Sequence, residues 1–130
     1  MSGQPAAKEG DQITATDTHI VMIPSPGGPV PTPLPHPFVG TLQDALSEDV
    51  QVMNKKAAVV GSKAKNTPHV PQGGPFQKPP KDEATVAVGS NKVLINNKAA
   101  ARANDKALTC NDPADVPIGT VVAAGTVVMG

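Results

Sequence analysis

The stretch Lys92-Val93-Leu94-Ile95-Asn96-Asn97-Lys98-Ala99-Ala100-Ala101-Arg102-Ala103-Asn104-Asp105 carries a β-strand signal and a repeated unit together. A β-branched run leads into an Asn-rich turn and then into a second short run, the pattern of a β-hairpin. Val50-Gln51-Val52-Met53, Asn54-Lys55-Lys56 and Ala57-Ala58-Val59-Val60-Gly61-Ser62 repeat that order. Residues 54–58 align with residues 96–100. The segment after the turn occurs again near the start of the chain, where Ala6-Ala7-Lys8-Glu9-Gly10-Asp11 matches Ala100-Ala101-Arg102-Ala103-Asn104-Asp105. One short unit therefore occurs twice clearly, and in a weaker form at residues 57–62: two small residues, a basic residue, a variable one, Gly or Asn, then Asp or Ser. Internal repeats of this kind point to a pseudo-threefold arrangement.

Around these units, prolines gather in two clusters: Pro24, Pro26, Pro29, Pro31, Pro33, Pro35, Pro37, and then Pro68, Pro71, Pro75, Pro79, Pro80. Helices cannot form there, and the clusters read as extended, polyproline-like connectors. Gly119-Thr120-Val121-Val122 and Gly125-Thr126-Val127-Val128 resemble each other and read as two short strands around an Ala-Ala-Gly turn. The one helical candidate runs from Thr41 to Asp49, with Leu42, Ala45 and Leu46 spaced like one apolar face.

Composition narrows the function classes. The 130 residues include 12 Gly, 15 Pro, 2 Phe and neither Trp nor Tyr. Aromatic side chains dominate core burial, so this core must be built from Val, Ile, Leu and Ala. An aromatic-lined enzyme pocket is disfavoured, and so is a stacking platform for single-stranded nucleic acid. Eleven basic and eleven acidic residues cancel, leaving no basic footprint for nucleic acid. The N-terminal residues carry no signal-peptide pattern, and no apolar run has the length of a membrane span. At this length the chain reads as a single domain, 1–130.

A lone Cys110 excludes an internal disulfide, so a thin core needs another staple. His19, His69 and Cys110 each follow one copy of the repeat by a few residues, and His36 lies inside the first proline cluster. Zinc takes His nitrogen and Cys thiolate, and structural sites hold four ligands in a tetrahedron. His19, His36, His69 and Cys110 would complete such a set, although their spacing fits no standard finger motif. Structural zinc supplies roughly 10–16 kcal/mol of apparent binding energy coupled to folding. Four protein ligands would leave no open position for catalysis, and an iron or copper ion also suits the donors. The nearby acids Asp11, Asp105 and Asp112 read as turn and capping residues.

These residues resemble the PAAR-repeat proteins, the small tip proteins of contractile injection systems such as type VI secretion and phage-tail-like extracellular machines. The carriers are Ala99-Ala100-Ala101-Arg102 with Asn104-Asp105, Ala6-Ala7-Lys8 with Gly10-Asp11, and the hairpin Val93-Leu94-Ile95-Asn96-Asn97-Lys98 before the Ala-Ala-Arg. Pro35-His36-Pro37-Phe38-Val39-Gly40, Asn66-Thr67-Pro68-His69-Val70-Pro71 and Thr109-Cys110-Asn111-Asp112-Pro113 are similar to the proline-rich PAAR-like subgroup. The first unit departs from the motif with Lys8 in place of Arg, and the middle unit with Val59-Val60-Gly61-Ser62.

The resemblance implies an all-β fold: a small cone of short β-hairpins with Pro-rich connectors and a pseudo-threefold base. A structural zinc, one per chain, would sit near the apex on His19, His36, His69 and Cys110. It implies a non-enzymatic tip that caps a trimeric spike protein, one tip per trimer, with strands at residues 121–122 and 127–128 free to dock. The target membrane would be met transiently, effector cargo would attach non-covalently, and no nucleic acid is involved. The protein would assemble in the bacterial cytoplasm and leave on the injection particle. No fused effector is expected after Gly130. Two other functions fit the residues: a cargo adaptor or chaperone with a structural zinc, and a small zinc hydrolase with a three-ligand site.

Overall fold

The computed structural model describes residues 3–130, which form an all-β chain. The strands are β1 (Gln4–Pro5), β2 (Gln12–Ile23), β3 (Val30–Asp44), β4 (Gln51–Val52), β5 (Lys55–Lys56), β6 (Lys63–Asn66), β7 (Glu83–Val86), β8 (Leu94–Ile95), β9 (Lys98–Ala99), β10 (Lys106–Thr109), β11 (Val116–Val122) and β12 (Val128–Met129). Six of them close into an antiparallel barrel in the order β10-β11-β2-β3-β6-β7. The barrel is three hairpins side by side, and each follows directly on one copy of the repeat: residues 6–11 enter β2, 57–62 enter β6 and 100–105 enter β10.

The repeats form a hydrogen-bonded ring at the start of these strands. Ala7 N–H donates to the Ala101 carbonyl, Ala101 N–H to that of Ala58, and Ala58 N–H to that of Ala7, each at 3.0 Å. A second cycle runs from Glu9 N–H to Lys56 O, Val60 N–H to Ala99 O and Ala103 N–H to Pro5 O. The fifth residue of each unit is left-handed, with φ of 92° at Gly10, 98° at Gly61 and 72° at Asn104. Gly or Asn recurs there because other side chains clash with the backbone in that conformation. The sixth residue caps the backbone N–H of the third: Asp11 Oδ2 accepts from Lys8 N, Ser62 Oγ from Val59 N and Asp105 Oδ2 from Arg102 N.

This geometry explains why the middle unit departs from the motif. In the outer units a cation pairs with the capping acid and also donates to a backbone carbonyl, Lys8 Nζ to Ala124 O and Arg102 Nη2 to Gly89 O. In the middle unit Ser62 does both jobs with one hydroxyl. It accepts from Val59 N and donates to Ala45 O, both at 2.9 Å. With no acid to neutralise, the third position is free to be apolar, and Val59 joins the core.

Before two of the units stand the expected hairpins, β4–β5 and β8–β9. Their turn residues Met53-Asn54 and Asn96-Asn97 all have positive φ, 50° to 67°, the type I′ turn that matches strand twist. The turns make Ala57 equivalent to Ala100. Aligning Asn54 with Asn96 is therefore one residue out of register. The third hairpin is assembled from both ends of the described chain. Gln4 pairs with Met129 and Pro5 with Val128, as Lys55 pairs with Val52 and Lys98 with Ile95.

Several expectations are overturned. The stretch from Thr41 to Asp49 is not helical. Thr41 is held between Gln12 of β2 and Lys65 of β6, so β3 runs through to Asp44, and a left-handed Ala45 then ends it. The first proline cluster is largely strand. Pro31, Pro33, Pro35 and Pro37 occupy alternate positions of β3, with their rings exposed. Their missing N–H groups all fall on the edge away from β2, where a strand tolerates proline. The intervening residues supply the donors for pairing with β2. Pro24, Pro26 and Pro29 lie in the connection between β2 and β3, and the whole second cluster is a connector, between β6 and β7. β11 and β12 do not form a hairpin with each other, and neither is unpaired. β11 lies between β10 and β2, while β12 pairs with β1.

The core is stacked in equivalent threes: Ala7, Ala58 and Ala101, then Ile13, Ala64 and Ala107, then Leu42, Val86 and Val121, all buried. Alanine at the ring lets three backbones approach, and the larger side chains fill the barrel beyond it. Burying each Leu, Ile, Val or Phe stabilises by about 1.5–3 kcal/mol. A second cluster of Ala6, Val52, Ala57, Val59, Ile95 and Ala100 lies beneath the ring, among the short hairpins.

Candidate metal centre

All four metal candidates converge at the end of the barrel strands away from the repeats. β2 places Asp17 and His19 on one inward face, because residues two apart in a strand point the same way. β3 sets His36 opposite Asp17 in the ladder. His69 follows β6, and its backbone N–H donates to Asp82 Oδ1. Cys110 follows β10. Its neighbours are bound to β2 as an extra rung: Asn111 Oδ1 accepts from Thr18 N, Asp112 N–H donates to Thr18 O, and Asp112 Oδ2 accepts from Ile20 N.

The three imidazoles pack with ring centroids 5.0 Å apart for His19–His69 and 5.5 Å for the pairs with His36. Cys110 Sγ lies 3.8 Å from His19 Nε2. Two ligands of one tetrahedral zinc would be about 3.6 Å apart, given Zn–S near 2.3 Å and Zn–N near 2.0–2.1 Å. One ligand atom each from Asp17, His19, His69 and Cys110 lies within 4.8 Å of the other three. Phe76, on the connector between β6 and β7, closes over the cluster, 5.7 Å from the His19 ring and 5.3 Å from that of His36. The connector is held by Met22 N–H donating to Pro75 O and Gln77 N–H to Ile20 O.

The polar atoms fit a metal ion. His19 Nδ1 and His36 Nε2 are buried and have no hydrogen-bond partner. His36 Nδ1 lies 3.0 Å from the Leu34 carbonyl. That contact places the ring proton on Nδ1 and leaves Nε2 a bare lone pair, the usual support of a metal-bound imidazole. Asp112 Oδ2 stands 3.7 Å from His19 Nδ1. Burial, and next the neighbouring His69, lower the His19 pKa and favour its neutral, ligating form. Without a metal, burial and then Asp17 push the Cys110 thiol up to about 11. A bound cation reverses this, because the thiolate is the ligand.

The sequence reading missed Asp17, which is fully buried. Its Oδ2 lies 3.2 Å from His69 Nε2 and 3.4 Å from Cys110 Sγ, and Asn111 Nδ2 donates to Oδ1 at 3.3 Å. Its one signal was strand alternation, two residues before His19. Asp112, read as a turn acid, also belongs to the wall of this site. Together the donors form a buried Asp/His/His/Cys cluster able to hold a metal ion, with His36 packed against it. No helix of the described residues is long and apolar enough to cross a membrane. Neither family models nor curated proteins returned a match to the chain.

Proposed function

We propose that this chain is a PAAR-like tip protein of a contractile injection system, capping a trimeric spike and carrying one structural zinc. The observation that carries the reading is the polarity of the barrel. A cyclic ring of three repeat units lies at one end, and the His/Cys cluster lies at the other. A single chain facing the end of a three-chain partner needs three similar surfaces, and the ring with its short hairpins offers them. Exposed apolar side chains sit on those hairpins and the adjoining ends, among them Met53, Leu94, Val127 and Val128.

In this reading zinc is held by His19, His36, His69 and Cys110, where it ties together β2, β3, the connector after β6 and the segment after β10. A tapering apex has too little interior for burial alone to keep it folded under load. A cross-link of four segments distributes the force of sheath contraction as the tip meets a target membrane. Prolines along β3 and in the connector stiffen the same end by lowering the entropy of the unfolded chain. A closed four-ligand site has no room for substrate, which favours a mechanical over a hydrolytic role.

The test is association with the trimeric spike protein of the same system, measured by sedimentation. One chain bound per trimer is expected, and Leu94→Asp with Val128→Asp should weaken binding at least tenfold without lowering zinc content. No association with the trimer, or three chains per trimer, would overturn the tip reading.

A further inference from the structure

We propose that Asp17 is the counter-charge of the metal centre: the carboxylate that makes a divalent cation and the Cys110 thiolate a neutral buried unit. The proposal rests on the metal reading above and concerns a residue outside its four-ligand set.

Asp17 has 0 % exposure. Among the described residues no lysine or arginine forms an ion pair with it, and its ion-pair partner is His69 at 3.2 Å. The nearest cations outside the cluster go elsewhere: Lys78 reaches Asp112 and Lys81 reaches Asp115. A buried carboxylate without a permanent cation is costly, and such groups are normally paired or bind metal. The converse holds for the ion. A divalent cation with one thiolate and neutral imidazoles carries a net single positive charge in a site covered by the Phe76 ring. Asp17 cancels that charge. Its placement is built rather than incidental. β2 fixes its backbone through the ladder to β3, and Asn111 holds Oδ1 while Oδ2 faces His69 and Cys110.

The experiment compares wild-type protein with Asp17→Asn, which keeps the shape and an acceptor for Asn111. Zinc affinity is read by competition with a chromophoric chelator. Cobalt-substituted protein gives the thiolate charge-transfer band. Asp17→Asn is expected to lose about 10–100-fold in affinity, the range for residues that support a metal site, while the cobalt–thiolate band persists. Equal affinity in the two proteins would overturn this proposal and leave the metal centre standing. Wild-type protein that takes up neither zinc nor cobalt would overturn both. Should the variant not fold, carboxyl-¹³C NMR of wild-type protein decides: the Asp17 resonance should move on adding zinc, and an unmoved resonance rejects the role.

Discussion

Replacing Ser62 by alanine probes the repeat ring at its least expected member. The hydroxyl is fully buried and links two backbone groups, Val59 N–H and Ala45 O, each at 2.9 Å. Ala45 is exposed, so its carbonyl turns to water at a cost of about 0.5 kcal/mol, the low end for a single hydrogen bond. Val59 is buried, and its stranded N–H costs about 1–3 kcal/mol. The expected loss is therefore about 1.5–3.5 kcal/mol. With a urea slope near 2 kcal/mol/M, that lowers the unfolding midpoint by about 0.7–1.8 M. The chain has no Trp or Tyr, so far-UV circular dichroism is the suitable probe. Two controls sharpen the test. Ser25→Ala, which removes an exposed hydroxyl bonded to Gly28 O, should stay within about 0.5 kcal/mol. Ser62→Asp should be worse than Ser62→Ala, because it installs the capping acid of the other units where Val59 offers no cation. A Ser62→Ala protein within 0.5 kcal/mol of wild type, or a stabilised Ser62→Asp, would refute the account of the middle repeat.

Other perturbations follow from the same structure. Phe76→Ala opens the cover over His19 and His36; zinc release to excess chelator should quicken severalfold, and an unchanged rate would deny Phe76 that role. In metal-free protein, burial holds the His19 pKa down, so below about pH 6.5 the unfolded chain binds the extra proton and stability falls as pH drops. The Cys110 thiol keeps its proton to about 11 when folded and ionises near 9 when unfolded, so stability also falls as pH rises between those values. Urea titrations across pH should trace both flanks, and a flat profile would contradict the buried cluster. A circular permutant should fold: the chain opened between Asn96 and Asn97, with Met129 joined to Gln4 through Asn-Gly, recreates the third type I′ hairpin. Failure of that permutant to reach the native circular dichroism spectrum would count against the equivalence of β1–β12 with the other two hairpins.

What the sequence made legible was local. Two hairpins with their Asn turns, and the repeat unit itself, could be read because a type I′ turn and a left-handed Gly or Asn impose specific residues. His19, His69 and Cys110 were legible because each follows a repeat unit by five to eight residues. Partnerships were not. Nothing local says that Gln4 pairs with Met129, since that contact depends on closing the whole ring. The prolines of β3 disguised a strand: their alternate spacing is compatible with pairing on one side, but proline content alone argues for a connector. Leu42, Ala45 and Leu46 imitated a helical face because a strand ending in a turn produced the same short spacing. Asp17 was hidden because an acid in a strand looks solvated until its neighbours across the barrel are known.

Metal binding at the His/Cys/Asp end is what we propose holds this barrel together. The measurement is metal content of untagged protein, with thermal unfolding before and after chelation and in Cys110→Ala. About one zinc per chain is expected, with chelation and the variant each removing both the metal and much of the thermal stability. Protein that carries no metal and unfolds at the same temperature after chelation would contradict the claim.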